Sequence, residues 1–208
     1  MKKVSLKGTY AITPNSLNEE TLYKKVSELL HEGVKLLQYR DKFRPPEEKF
    51  IISKKLRNIC NKFDCLLIIN DDAELAKEIG ADGVHLGQKD TPYKEARNLL
   101  GSNSIIGISC QNNLELAFRA QSDGANYVAF GSVFKTESKN NVLHCPLEDL
   151  TSFVKEIKIP SAAIGGINLS NFLEVKNSGV DMLAISSGLF LEDDISKLST
   201  LLRTQYPS

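Results

Sequence analysis

The chain has 208 residues, 41% of them hydrophobic, enough for one domain with a sizeable core. Lys+Arg and Asp+Glu number 26 each, so no overall basic field exists to attract a polyanion, which excludes nucleic acid as a general partner. Cys60, Cys65, Cys110 and Cys145 lack metal-ligand spacing and two of them lie in apolar runs, so they read as reduced thiols of a cytoplasmic protein.

The N-terminal stretch 1–7 lacks the apolar segment of a signal peptide, and no segment is long enough to span a membrane. No low-complexity tract or Pro/Gly-rich linker divides the chain, so 1–208 reads as a single domain.

In chain order, strand and helix patterns alternate. A first strand over 8–13 leads through Pro14-Asn15-Ser16 into a helix over 18–32. A second strand, 34–39, precedes a helix over 45–63 with proline at its start. Strands over 65–69, 83–86 and 104–108 are followed by helices over 73–79, 93–100 and 113–123. The sixth strand, 127–134, runs into a polar loop and then a helix over 146–157. The last two pairs are 161–164 with 170–178, and 182–185 with 195–205.

Eight strand–helix units with short connections predict an α/β protein with parallel strands. Glycines at Glu32-Gly33, Ile79-Gly80 and Asp123-Gly124 recur where helices should end. A doubly wound sheet of eight strands is one solution. The count of eight favours a (β/α)8 TIM barrel, although the chain is shorter than the roughly 250 residues usual for it.

In such a barrel, chemistry gathers at the C-terminal ends of the strands. After the second strand, Gln38, Arg40 and Lys42 alternate onto one face and project an amide and two cations together. Asn70 and Asp71 follow the third strand, Asp90 the fourth, and Ser109 ends the fifth. Thr136, Glu137, Ser138 and Lys139 follow the sixth, Gly165-Gly166 the seventh, and Ser186-Ser187 the eighth. Two carboxylates completed by water and substrate phosphate suit Mg2+. Alternatively, Asp71 or Asp72 could cap the helix that begins at Ala73, and Asp90 could cap the segment after it. Gly166, Ser186 and Ser187 suit a phosphate site of backbone amides and hydroxyls, although Gly-Gly alone could be a tight turn. Arg40, Lys42 and Lys139 are too many cations for one phosphate and suggest a second anion, a diphosphate; Lys42 and Lys139 could also be solvated surface charges.

These motifs resemble those of the thiamine phosphate synthase family. The resemblance rests on Leu37-Gln38-Tyr39-Arg40-Asp41-Lys42, Ile69-Asn70-Asp71, the block Gly80-Ala81-Asp82-Gly83-Val84-His85-Leu86-Gly87-Gln88-Lys89-Asp90, Ile106-Gly107-Ile108-Ser109, Thr136-Glu137-Ser138-Lys139 and Ala163-Ile164-Gly165-Gly166-Ile167. It covers nearly the whole chain. It implies a transferase of thiamine biosynthesis that joins hydroxymethylpyrimidine diphosphate to hydroxyethylthiazole phosphate and releases pyrophosphate. It further implies that Gln38, Arg40, Lys42, Asn70, Ser109 and Lys139 hold the pyrimidine diphosphate, with Arg40, Lys42 and Lys139 catalytic. Asp71 and Asp90 would ligate Mg2+, and Thr136, Ser138, Gly166, Ser186 and Ser187 would hold the thiazole phosphate. Relatives of this kind suggest a homodimer.

The chain departs from the pattern at Cys110-Gln111-Asn112, where many members have a Thr-His or similar pair, and at Ser138, where Thr is common. The segment after Lys139 also lacks the usual glycines. Two other functions remain to be weighed. A thiazole tautomerase of the same fold relies on a His shortly after the Ser109 position and needs no metal carboxylates. A non-catalytic phosphate-sensing barrel would need no complete metal–diphosphate set. His85 and His144 read as structural and loop residues.

Overall fold

The computed structural model describes residues 5–134 and 143–191. Eight parallel strands close into a barrel in the order β1-β2-β3-β4-β5-β6-β7-β8, with β8 pairing back onto β1. The strands are β1 (Gly8–Ile12), β2 (Leu36–Tyr39), β3 (Leu66–Asn70), β4 (Gly83–Leu86), β5 (Ile105–Gln111), β6 (Tyr127–Gly131), β7 (Ser161–Ile164) and β8 (Met182–Ile185). Between them run α1 (Glu19–His31), α2 (Pro46–Phe63), α3 (Ala73–Glu78), α4 (Tyr93–Leu100), α5 (Leu114–Asp123), α6 (Leu147–Glu156) and α7 (Phe172–Asn177). A single turn, α8 (Ser187–Phe190), follows β8 directly.

Strand alternation sorts the core into two layers. Ala11, Leu37, Leu67, Ile69, Val84, Ile106, Val128 and Leu183 face outward and are buried under the helices. Tyr10, Ile12, Leu36, Ile68, Tyr127, Ala162 and Met182 fill the barrel interior. Each full burial of a large apolar side chain contributes roughly 1.5–3 kcal/mol, so the outer layer carries most of the stability.

Two interior glycines are set by close packing. A Cβ on Gly83 would lie 1.9 Å from the Ile105 carbonyl oxygen, and one on Gly107 would lie 2.0 Å from the Tyr127 ring. The small residue on β5 therefore makes room for the large one on β6.

Most elements fall within two residues of the sequence expectation, and three features depart further. β6 ends at Gly131 rather than at 134, because Ser132 turns its backbone to the returning loop: its N–H donates to Leu143 O at 3.1 Å, and its carbonyl accepts from Cys145 N at 2.9 Å. β5 continues to Gln111 through a bulge between Ser109 and Gln111, with Gln111 at φ 54. The turn α8 was not expected, and the helix expected over 195–205 lies outside the described residues. All four cysteines are buried and unbridged. Among the described residues no helix is long and apolar enough to cross a membrane.

Candidate active site

The first cluster is built at the ends of β1 to β4. Gln38 and Arg40 share the inward parity of Leu36. Thr13, at the end of β1, locks this strand end: its N–H donates to Gln38 O at 3.0 Å, and its hydroxyl accepts from Arg40 N at 2.8 Å. Asn15 accepts from the Lys42 backbone N–H at 3.1 Å. Asp41 then forms a tight turn, with its Oδ1 accepting from Phe43 N and Arg44 N and its Oδ2 paired to the Arg44 guanidinium at 2.5 Å. These supports hold Arg40 half-buried and leave Lys42 exposed.

The capping ambiguity at Asp71-Asp72 resolves cleanly. Asp72 is the N-cap of α3 and accepts from Leu75 N at 2.8 Å. Asp71 sits in the left-handed region at φ 66, with its N–H donating to the His85 carbonyl at 2.8 Å. Its carboxylate is thereby left out of the helix and meets the Lys42 ammonium at 3.3 Å. The N-cap of α4 is Pro92, so Asp90 does not cap it. Asp90 instead accepts from Gly87 N at 2.6 Å.

The electrostatics tie these residues together. Burial, then the Asp71 carboxylate beside it, holds the Asp90 carboxyl above its ordinary pKa, against the Gly87 N–H and the Lys42 charge. Burial pulls the Arg40 guanidinium below its usual value, partly offset by Asp71 and Asp41. An arginine remains charged through such a shift, so Arg40 is a desolvated cation. Two carboxylates and two cations therefore share one corner of the barrel mouth.

Among the described residues no group of three or more His, Cys, Asp or Glu side chains is arranged to hold a metal. Asp71 and Asp90 supply two hard oxygen donors whose mutual repulsion a divalent cation would relieve. That donor set fits Mg2+, which keeps several waters and takes substrate phosphate, better than a metal needing an all-protein cage. Asn70, the last residue of β3, and Ser109, on the inward parity of β5, are both half-buried at this end. Gln88 donates to the Ser109 carbonyl at 2.7 Å and joins the β4 and β5 loops.

The second cluster lies at β7 and β8. Gly166 has φ 66, and its carbonyl accepts from Asn171 Nδ2 at 2.9 Å, which fixes the turn. Ser186 precedes α8 and accepts from Leu189 N and Phe190 N through its carbonyl, without using its side chain as a cap. Ser187 is the first residue of α8 and is exposed. A Cβ on Gly188 would lie 2.4 Å from Ile167 O, so the turn after β8 packs directly on the loop after β7. Thr136, Ser138 and Lys139 lie outside the described residues. Ser132 joins the two ends of their loop, since its carbonyl also lies 3.1 Å from His144 Nδ1.

The expected histidines take structural places. The ring of His85 is buried and stacks on Tyr127 at 5.5 Å between centroids. Asn112 donates through Nδ2 to Asp149 Oδ2 at 3.1 Å, and its buried Oδ1 has no partner among the described residues. Sequence reasoning missed Thr13, Asn15, Gln88 and Ser132. A polar residue just past a strand was the signal available for the first two.

The family model described as thiamine monophosphate synthase matches residues 9–189. The thiamine-phosphate synthase of Thioalkalivibrio sulfidiphilus is 43% identical over 190 residues, covering 91% of this chain and 90% of that protein. That of Nitrosococcus oceani is 41% identical over 205 residues, covering 98% and 94%. A solved thiamine phosphate pyrophosphorylase from Pyrococcus furiosus superposes with a TM-score of 0.86 at 36% identity, covering 97% of this chain and 96% of that one. The likeness to a 3-hexulose-6-phosphate synthase, TM-score 0.71 at 14% identity, concerns the fold alone. Barrel, strand-end motifs and relatives agree, and the chain belongs to the thiamine monophosphate synthase family.

Proposed function

We infer that the protein is a thiamine-phosphate synthase, a transferase that condenses 4-amino-2-methyl-5-hydroxymethylpyrimidine diphosphate with 4-methyl-5-(2-hydroxyethyl)thiazole phosphate. The observation that carries the site assignment is the cluster of Arg40, Lys42, Asp71 and Asp90, in which paired carboxylates face paired cations. Gln38, Arg40, Lys42, Asn70, Ser109 and Lys139 hold the pyrimidine diphosphate. Thr136, Ser138, Gly166, Ser186 and Ser187 hold the thiazole phosphate at the other side of the mouth.

Asp71 and Asp90 would hold Mg2+, which when bound supplies positive charge to the diphosphate oxygens. Arg40 and Lys42 neutralise the charge that grows on pyrophosphate as the methylene carbon–oxygen bond breaks. Lys139 adds a third cation to the same leaving group. The methylene becomes cation-like, and the thiazole nitrogen, held in line by its phosphate, forms the new carbon–nitrogen bond. Holding two substrates in that geometry contributes much of the remaining acceleration. Burial pushes the Cys110 and Cys145 thiols up to about 12, which argues against a thiolate nucleophile.

The tautomerase reading needs an imidazole after Ser109; Gln111 and Asn112 stand there, and the Asn112 amide is tied to Asp149. We assign the chain small phosphorylated substrates, a cytoplasmic setting and a homodimeric assembly, the last on the resemblance alone. Pyrophosphate release on mixing both phosphorylated halves tests the reading. Isomerisation of a thiazole precursor without release would mark a tautomerase, and binding without turnover a phosphate sensor.

A further inference from the structure

The loop after β7 is held by a side chain that the following helix would ordinarily claim. Asn171 is the N-cap residue of α7, and an asparagine there usually accepts from the first turn of its own helix. Asn18, Asp72 and Asn113 do this at their helices, accepting from Thr21 N at 2.9 Å, Leu75 N at 2.8 Å and Leu116 N at 3.0 Å. Asn171 makes no such bond. Its side chain turns back into the loop: Oδ1 accepts from Asn168 N at 2.8 Å, and Nδ2 donates to the Gly166 carbonyl at 2.9 Å.

Both partners are main-chain groups, one only a donor and the other only an acceptor, so the backbone sets the orientation of this amide. Asn168 repeats the arrangement. Its Oδ1 accepts from Ser170 N at 2.8 Å, and its Nδ2 donates to the same Gly166 carbonyl at 3.4 Å. The Gly166–Ile167 peptide is trans, so its N–H points opposite to its C=O, away from both asparagines. Ile167 is 4% exposed, and among the described residues no acceptor takes its N–H. Buried main-chain donors are seldom left so.

We propose that Asn171 is a positioning residue: by holding the Gly166 carbonyl, it keeps the Ile167 N–H presented to the phosphate of the thiazole half. This rests on the assignment of Gly166, Ser186 and Ser187 to that phosphate. A lock is needed because Gly165 and Gly166 adjoin, and glycine lets a neighbouring peptide rotate at little steric cost. Without the Nδ2 donor, the Gly166–Ile167 peptide can turn and set its carbonyl, rather than its N–H, against an anion.

The test is steady-state kinetics of wild type, Asn171→Asp, Asn171→Ala and the helix-cap control Asn18→Ala, alongside thermal midpoints. Unphosphorylated hydroxyethylthiazole is the competing probe. Asn171→Asp keeps the acceptor for Asn168 N and loses the donor to Gly166 O; Asn171→Ala loses both without adding charge. Both should raise KM for the thiazole phosphate about tenfold, the worth of one hydrogen bond to a charged group. Both should leave KM for the pyrimidine diphosphate and Ki for the alcohol unchanged, so the preference for phosphate over alcohol shrinks by the same factor. The proposal is overturned if both variants lower only the thermal midpoint, as Asn18→Ala should, or weaken phosphate and alcohol alike. A rise confined to Asn171→Asp would be charge repulsion and would overturn it too. In each of these cases the synthase reading stands. If wild type forms no thiamine phosphate, that reading fails and the proposal with it. Should Asn171→Ala fail to fold, Asn171→Ser, neutral and too short to reach both groups, decides by the same outcomes.

Discussion

The ammonium of Lys42 lies 3.3 Å from Oδ2 of Asp71, and the two side chains are 48% and 34% exposed. An ion pair this open contributes only about 0–1 kcal/mol. It is therefore cheap to break, and under the proposed assignment Lys42 would be free to turn to the diphosphate if a divalent cation were bound by the Asp71 carboxylate. The pair places both groups where such an exchange needs only side-chain motion.

Asp71→Asn and Asp90→Asn should each lose most synthase activity, with excess Mg2+ partly rescuing one of them. Two variants with wild-type turnover and wild-type Mg2+ dependence would remove the metal from these positions. Asp90→Asn should also stabilise the metal-free protein, because a raised carboxyl disfavours the folded state once ionised. The penalty is absent below the unfolded-state pKa and complete above the raised folded one. Denaturant melts with a chelator present should thus show the variant gaining on wild type from acid to neutral pH, by an amount that solvent screening of this half-buried carboxyl keeps small. Equal or lower stability at neutral pH would mean the two carboxylates do not repel.

Asp72 provides the contrast one residue away. Its side chain satisfies the first turn of α3. Asp72→Ala should cost about 1 kcal/mol of stability and leave kcat and both KM values alone. A large kcat defect there would show that the two aspartates do not divide structure from chemistry.

At the other anchor, Ser186→Ala or Gly166→Val should raise KM for the thiazole phosphate and spare the pyrimidine diphosphate. For Gly166 the side chain must also enter a backbone with φ 66, which favours glycine. A defect confined to the pyrimidine side would reverse the assignment of the two anion sites.

Lys139→Ala should still bind the pyrimidine diphosphate by calorimetry yet turn over slowly, because a cation aimed at developing charge acts on kcat. Such a donor is typically worth ~3 kcal/mol, or roughly a hundredfold or more in rate. Poor binding with normal turnover at saturation would make Lys139 a ground-state anchor.

Much of this was legible in the sequence. Alternation at 36–42 was enough to put Gln38, Arg40 and Lys42 on one face, although the turn at Asp41 leaves Lys42 exposed, and the count of eight strand–helix units favoured the closed barrel that forms. The features that were not legible depended on contacts remote in sequence. Nothing local distinguishes Asp71 from Asp72 as the cap; the choice is made by the His85 carbonyl, which takes the Asp71 N–H. Nothing local at Tyr10 or Tyr127 signals their hydroxyl contacts, because the partners come from other strands. The end of β6 was overrun because Ser132 bonds to residues on the far side of the next loop.

The central claim is tested most directly by incubating the purified protein with both phosphorylated halves and Mg2+ and measuring thiamine phosphate and pyrophosphate together. Equimolar formation of the two products, abolished by omitting either half or by chelation, is the result predicted. Formation of neither product, with the thiazole half isomerised or merely bound, would contradict it.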